Sequence, residues 1–146
     1  MSAMDIRPLS KDFAVSPQIE AHDLAAIKAA GFTTIVDNRP DQEVPPDVGS
    51  DAIRAAAEAE GLRFVMNPLS HGALTMDHIT TQGEALATSG GPVFAYCASG
   101  NRSSILWALS QAGKVPTDDL VAAAARAGYN LEPFRGEIDR LAAQRD

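Results

Sequence analysis

The residues with the clearest chemical potential lie together at positions 96–103, Tyr-Cys-Ala-Ser-Gly-Asn-Arg-Ser, and include the only cysteine of the chain. A thiolate at Cys97 would be a nucleophile. Arg102 carries a planar, permanently charged fork of N–H donors that suits two oxygens of a tetrahedral anion. Ser103 could donate its hydroxyl to the thiolate or to a leaving sulfur. The spacing therefore predicts a catalytic set of Cys97, Arg102 and Ser103.

A tight turn must hold these residues, because two apolar runs enclose them. Residues 93–96 predict a buried strand and residues 105–109 a buried helix. The N–H groups of such a turn lack helix partners, so they form a concave anion site with the positive end of the helix dipole behind it. Gly100 supplies the backbone freedom for the bend. We expect the anion to bind at this turn, formed by Ala98, Ser99, Gly100 and Asn101.

The surroundings of Cys97 also bear on its reactivity. Helix N-termini and neighbouring cations lower a thiol pKa from about 8.5 towards roughly 3.5–7.5. A lone cysteine at the end of a buried strand is otherwise an inert small hydrophobe. The presence of Gly100, Arg102 and Ser103 at their spacing favours the reactive thiolate over the inert side chain.

A second basic residue follows another predicted strand. Residues 33–37, Thr-Thr-Ile-Val-Asp, are rich in β-branched side chains. Ligand groups of open α/β sheets lie at the carboxyl ends of strands, so Arg39 is predicted to be a further substrate contact. The alternative is an ion pair between Arg39 and a neighbouring carboxylate, at Asp37, Asp41 or Glu43.

A departing alkoxide or phenolate needs a proton at neutral pH, so an acid must come from a loop near the cysteine. The loop at positions 68–78 supplies two candidates. We assign Asp77 a catalytic role and His71 a role in substrate binding. The alternative for Asp77 is that its carboxylate only complements the dipole of the following helix.

Composition excludes several classes of protein. The 146 residues suit a single domain over 1–146. The formal charge of −7 argues against nucleic acid as a partner, since phosphate backbones are bound by clustered cations. One cysteine and three histidines without an i, i+4 pair predict no metal and no other cofactor. The sequence contains no G-x-S-x-G motif, which argues against a serine hydrolase.

The same features predict a cytoplasmic location. A single cysteine cannot form an internal disulfide and fits a reducing compartment. The sequence has no run of about 18 apolar residues, so it predicts no membrane span. The N-terminal residues do not resemble an export signal.

Periodicity and turn residues give the elements that must position the candidate site. They predict an α/β fold in a single domain, with a mainly parallel central sheet flanked by helices and an edge hairpin formed by the first two strands. Trp107 and Tyr129 are predicted to be packing residues. The predicted strands cover 6–9, 13–15, 33–37, 62–67 and 93–96, and the predicted helices cover 21–30, 51–60, 75–88, 103–111, 117–128 and 133–144.

Several stretches carry a resemblance to a known family: 4–9, 31–41, 96–104, 106–109 and 125–131. On these residues the chain resembles the bacterial phosphatase-like domain of beta-lactamase hydrolase-like proteins, a branch of the dual-specificity tyrosine phosphatase fold. The resemblance implies a nucleophilic Cys97, an anion-binding Arg102 and a loop of backbone amides between them.

The loop also differs from that of tyrosine phosphatases, which place five residues between the cysteine and the arginine. Here four intervene, a spacing that resembles rhodanese-type sulfurtransferases, whose smaller loop suits a persulfide. Relatives often carry a basic residue directly after the cysteine, where this chain has Ala98.

Three functional hypotheses follow. In the first, Cys97 attacks a phosphate monoester, either a small anion or a phosphorylated protein, and water hydrolyses the cysteinyl-phosphate. In the second, Cys97 carries a sulfane sulfur as a persulfide and passes it to a thiol or to a sulfide-oxidising enzyme. In the third, the turn is an anion-binding module without catalysis.

Overall fold

A computed structural model describes residues 4–145 of the chain. The expectation about an export signal rests partly on residues 1–3, which lie outside the described residues. The strands are β1 (Arg7–Ser10), β2 (Phe13–Ser16), β3 (Thr34–Asp37), β4 (Arg63–Met66) and β5 (Val93–Tyr96). The α-helices are α1 (Leu24–Ala29), α2 (Ser50–Ala59), α3 (Met76–Thr88), α4 (Asn101–Ser110), α5 (Thr117–Arg126) and α6 (Arg135–Ala143). Short 3-10 helices cover Ala21–Asp23, Asp41–Glu43, Pro46–Val48 and Glu132–Phe134.

The five strands form one sheet in the order β1-β2-β5-β3-β4. All neighbouring pairs are parallel except β1 with β2, which form the antiparallel edge hairpin that the sequence predicts. The strand that leads to Cys97, β5, is central, with β2 on one side and β3 on the other. The predicted α/β architecture is therefore confirmed.

Helices cover both faces of the sheet. On one face α1 and α2 pack their buried side chains, such as Leu24 and Ile53, against Ile35 and Phe94. On the other face α3, α4, α5 and α6 pack on the opposite side chains of β3 and β5. Because strands of a parallel sheet are buried on both faces, they are continuously apolar rather than alternating.

The helix after Cys97 begins earlier than the sequence predicts. The expected start was Ser103, whereas α4 begins at Asn101. Gly100 takes a positive φ of 97°, and its carbonyl accepts the first helical hydrogen bond from the amide of Ser104 at 3.0 Å. Residues 102–110 are buried around the whole helix, so no amphipathic period marks its boundary.

Among residues 4–145, no helix combines the length and the apolar character needed to cross a membrane.

Candidate active site

Cys97 lies directly after β5 and is 1% exposed. Its backbone amide donates to the carbonyl of Ser16 on the neighbouring strand at 3.4 Å. The amide of Gly100 donates to Cys97 Sγ at 3.1 Å. The turn thus folds back over the sulfur and offers it a backbone donor.

The carbonyl groups of the turn are all hydrogen-bonded. Of the turn amides, that of Gly100 donates to Cys97 Sγ, whereas that of Asn101 donates to Ser99 Oγ at 3.2 Å. The donors to the carbonyls of Ala98, Ser99 and Gly100 are the Gln18 amide at 3.3 Å, the Tyr129 hydroxyl at 2.8 Å and the Ser104 hydroxyl at 2.8 Å.

Only glycine fits at position 100. Its φ of +97° lies in the left-handed region, and a Cβ there would collide with the hydroxyl of Tyr129. Tyr129 was predicted only as a packing residue. It is buried, but its hydroxyl also holds the turn through Ser99, a role that the sequence did not reveal.

Arg102 is 5% exposed and is anchored along one end of its guanidinium. Nη1 donates to Glu43 Oε2 at 2.8 Å and to the carbonyl of Leu69 at 2.7 Å, and Nη2 donates to Glu43 Oε1 at 2.8 Å. A guanidinium has five N–H donors. Among the hydrogen bonds of residues 4–145, these three leave Nε–H and one Nη2–H, which lie on the same edge, the geometry of a fork that matches two oxygens of an anion.

Glu43 is the counter-ion that sequence reasoning placed only as a possible partner of Arg39. Its carboxylate also accepts from Arg39 Nε at 3.2 Å. The hydrogen bonds from Arg102, followed by those from Arg39, lower the pKa of Glu43 to about 2. Two guanidinium groups therefore share the Glu43 carboxylate. The signal that could have found Glu43 is that a buried arginine requires an acidic partner.

Arg39 forms the ion pair that the sequence allowed as an alternative. Its Nη1 also donates to Gln18 Oε1 at 3.2 Å, which ties it to the residue whose amide holds the turn. A direct contact between Arg39 and substrate stays a prediction.

A cavity of about 360 Å³ opens beside Arg102. Its wall is mostly apolar. Among residues 4–145, His71 is the one lining side chain that carries an imidazole, and none carries a carboxyl group. Asp77, which was predicted to be catalytic, does not line this cavity; it lies exposed in the first turn of α3. The lining residues are Leu69, Ser70, His71, Gly72, Leu74, Asn101, Arg102, Ile105 and Phe134.

Two buried groups next to the site have unusual surroundings. Ser103 is fully buried, and its hydroxyl has no hydrogen-bond partner in the described part of the chain. Asp37 is buried at the end of β3, where its Oδ1 accepts from the Arg39 amide at 2.8 Å. Desolvation raises the pKa of Asp37 to about 6.

Tyr96 is the register partner of Asp37 on β5. Its hydroxyl is close enough to the carboxylate to influence it but lies outside hydrogen-bonding geometry, and it has no partner within residues 4–145. Burial, followed by the charge of Asp37, raises the pKa of Tyr96.

Comparisons with known proteins give matches in sequence and in fold. The sequence profile of the phosphatase-like domain of beta-lactamase hydrolase-like proteins matches residues 5–114. The beta-lactamase hydrolase-like protein of Xylella fastidiosa (strain 9a5c) is 31% identical over 143 residues, which are 97% of this chain and 33% of that protein. The chain thus spans about a third of the length of the curated relatives it matches.

Solved structures give the same fold. The crystal structure of a candidate phosphatase from Neisseria meningitidis Z2491 is 31% identical, with a TM-score of 0.81 over 95% of this chain and 99% of that one. A cysteine-to-serine variant of P. aeruginosa TpbA, in complex with phosphotyrosine, is 16% identical and has a TM-score of 0.61 over 96% of this chain and 81% of that one. The predicted tyrosine-phosphatase-like fold is confirmed.

Proposed function

This chain belongs to the family of the phosphatase-like domain of beta-lactamase hydrolase-like proteins, and from that membership we propose that it hydrolyses a phosphate monoester through a cysteinyl-phosphate on Cys97. The substrate is a small anion or a phosphorylated protein. The observation that supports the proposal most directly is the pair of N–H donors that remains on Arg102 after Glu43 and the Leu69 carbonyl have anchored its guanidinium. Arg102 follows the turn that contains the sulfur.

The proposed reaction has two steps. In the first, Cys97 Sγ attacks phosphorus, the S–P bond forms and the bond from phosphorus to the ester oxygen breaks. Arg102 and the backbone amides of the turn stabilise the equatorial oxygens. His71, on the wall of the adjoining cavity, gives its proton to the departing oxygen. In the second step water attacks phosphorus and gives a proton back to His71, the S–P bond breaks, and inorganic phosphate and the thiolate are released.

Sulfur transfer is the second candidate. It is favoured by the four-residue spacing between Cys97 and Arg102. In this reaction Cys97 attacks the outer sulfur of thiosulfate, sulfite leaves, and a thiol acceptor or a sulfide-oxidising enzyme then takes the sulfur. Sulfite is a good leaving group, so this reaction needs no acid.

Intact mass spectrometry separates the two reactions. The protein and its Cys97→Ser variant are exposed briefly to p-nitrophenyl phosphate and, separately, to thiosulfate. The phosphatase proposal predicts nitrophenol release and a gain of about 80 Da, one phosphoryl group, that require Cys97. A gain of about 32 Da from thiosulfate, without nitrophenol release, would instead establish the persulfide reaction. If neither adduct forms, the remaining hypothesis is anion binding without catalysis.

A further inference from the structure

Three amide side chains form a closed cluster beneath the candidate site. Gln82 on α3 exchanges two hydrogen bonds with Asn38, from Asn38 Nδ2 to Gln82 Oε1 at 2.9 Å and from Gln82 Nε2 to Asn38 Oδ1 at 3.0 Å. Asn67 Nδ2 also donates to Gln82 Oε1, at 2.8 Å. The three residues are between 0% and 4% exposed. Buried amides are costly unless paired, and here the pairing is made within the cluster and to nearby carbonyls.

Asn38 connects this cluster to both halves of the site. Its backbone amide donates to the carbonyl of Tyr96, the residue before Cys97, at 2.9 Å. Its backbone carbonyl accepts from the amide of Leu69 at 3.0 Å. Its side chain holds the carbonyl of Asn67 at 2.9 Å. One residue thus fixes the strand that carries the sulfur and the segment whose carbonyl anchors Arg102.

We propose that Gln82 is a positioning residue of the candidate active site. Through Asn38 and Asn67 it holds the Leu69 carbonyl in place, and this carbonyl fixes one side of the Arg102 guanidinium relative to Cys97. Within residues 4–145, the hydrogen bonds of the Gln82 side chain go to Asn38 and Asn67 and not to the sulfur or the arginine. Its effect passes through three consecutive contacts: its side chain to Asn38, the Asn38 carbonyl to the Leu69 amide, and the Leu69 carbonyl to Arg102 Nη1.

Methionine is the informative replacement for Gln82, because it keeps the length of the side chain and removes its donor and acceptor. Asn38 and Asn67 then each lose partners in a dry environment. They regain them only if water enters or if the segment at 67–69 moves, and either change displaces the Leu69 carbonyl. The inference rests on the proposed function only in taking Cys97 and Arg102 as partners toward an anion.

The first test needs no phosphatase substrate. Iodoacetate is an anion and iodoacetamide is neutral, so the ratio of their alkylation rates at Cys97 reports how closely a cation lies beside the sulfur. We expect Gln82→Met to lower this ratio at least threefold. The matched control is Thr34→Val, which removes a buried hydroxyl contact to Ser89 at the opposite end of β3 and is expected to lower the melting temperature without changing the ratio.

The second test uses Gln82→Glu. A neutral carboxyl group reproduces the donor and acceptors of the amide, whereas a carboxylate places an acceptor against Asn38 Oδ1. The alkylation ratio of Gln82→Glu, divided by the wild-type ratio at each pH, should rise towards one as the pH falls, while the value for Gln82→Met stays low. A role in stability alone would not restore the ratio in this way.

Two results would overturn the inference. One is a ratio of alkylation rates in Gln82→Met equal to that of the wild type, and the other is an equal fall of this ratio in Gln82→Met and Thr34→Val. Inorganic phosphate binding and turnover of p-nitrophenyl phosphate, measured on the same proteins, test the proposed function separately. If the wild-type protein fails to hydrolyse the ester while Gln82→Met still lowers the ratio, the proposed function is wrong and the positioning role stands.

Discussion

The Glu43 carboxylate and the Arg102 guanidinium meet end to end, with Oε1 to Nη2 and Oε2 to Nη1 both at 2.8 Å. This contact orients the arginine before any substrate arrives. It also places a negative charge near the proposed anion site, which opposes anion binding. Glu43 therefore improves the geometry of the arginine fork and weakens its attraction for anions.

Replacement of Glu43 by glutamine should separate these two effects. The charge is lost, so inorganic phosphate should bind as tightly as before or more tightly. The fork loses its fixed orientation, so kcat should fall roughly tenfold to a hundredfold. Steady-state kinetics with p-nitrophenyl phosphate and phosphate titration measure the two quantities.

The matched control is Glu137→Gln, because Glu137 makes a similar two-pronged contact with Arg140 on the exposed surface of α6. It should change neither quantity. A weaker affinity for phosphate in Glu43→Gln, with kcat unchanged, would show that Glu43 does not act by orienting Arg102.

His71→Asn tests the assignment of the proton donor. Phenolate is a poorer leaving group than nitrophenolate and depends more on protonation. We expect kcat/KM on phenyl phosphate to fall about tenfold more than on p-nitrophenyl phosphate. The control is His22→Asn, since His22 is exposed on the short helix before α1. If Asp77→Asn shows the selective loss and His71→Asn does not, the assignment made from the sequence is right and the cavity-based one is wrong.

Two tyrosines allow the hydrogen bond that anchors the turn to be compared with a matched control. Tyr129→Phe removes the hydrogen bond to Ser99 and should lower the free energy of unfolding by about 1 kcal/mol and slow turnover. Tyr96→Phe removes a buried hydroxyl without a partner among residues 4–145, so it should be neutral or stabilising. Urea unfolding of both variants gives the comparison. Destabilisation by Tyr96→Phe would mean that its hydroxyl does bond to Asp37.

The buried Asp37 predicts a pH dependence of stability. Its pKa of about 6 lies above the ordinary value of 3.8, so the folded state binds more protons than the unfolded state between these values. The stability that this preference contributes is present below about pH 4 and is lost as the pH rises through 6. The full loss is about 3 kcal/mol.

Asp37→Asn keeps an oxygen for the Arg39 amide and removes the titration. The free energy of unfolding of the variant, minus that of the wild type, should therefore increase by about 2.5 kcal/mol between pH 4 and pH 7.5. Chemical unfolding at a series of pH values measures it. A difference that does not change with pH would show that Asp37 ionises in the folded protein as it does in water.

The sequence predicted the strands and helices well because each carries a local signal. Five short apolar runs bounded by turn residues gave the five strands to within one residue at each end. Gly31, which follows α1, has a positive φ of 102°, the conformation expected for a glycine that ends a helix. The start of α4 was misplaced because its buried residues hide the period that marks a helix.

The partners within the site could not be predicted in the same way, because they come from distant segments. Glu43 lies 59 positions before Arg102, and Tyr129 lies 30 positions after Ser99. The sequence named Cys97 and Arg102 from their spacing alone. What anchors each of them depends on which loops the sheet order brings together, and no local pattern encodes that order.

The family match ends at residue 114, yet the turn is held in part from beyond it. Tyr129 lies in the unmatched segment, as do Leu131, Ile138 and Leu141, which complete the core on one face of the sheet. A fragment cut at residue 114 would lose the donor to Ser99 and expose apolar surface. The unit that can be exchanged between proteins with its chemistry intact must therefore include α5 and α6, although the family profile alone would draw the boundary before them.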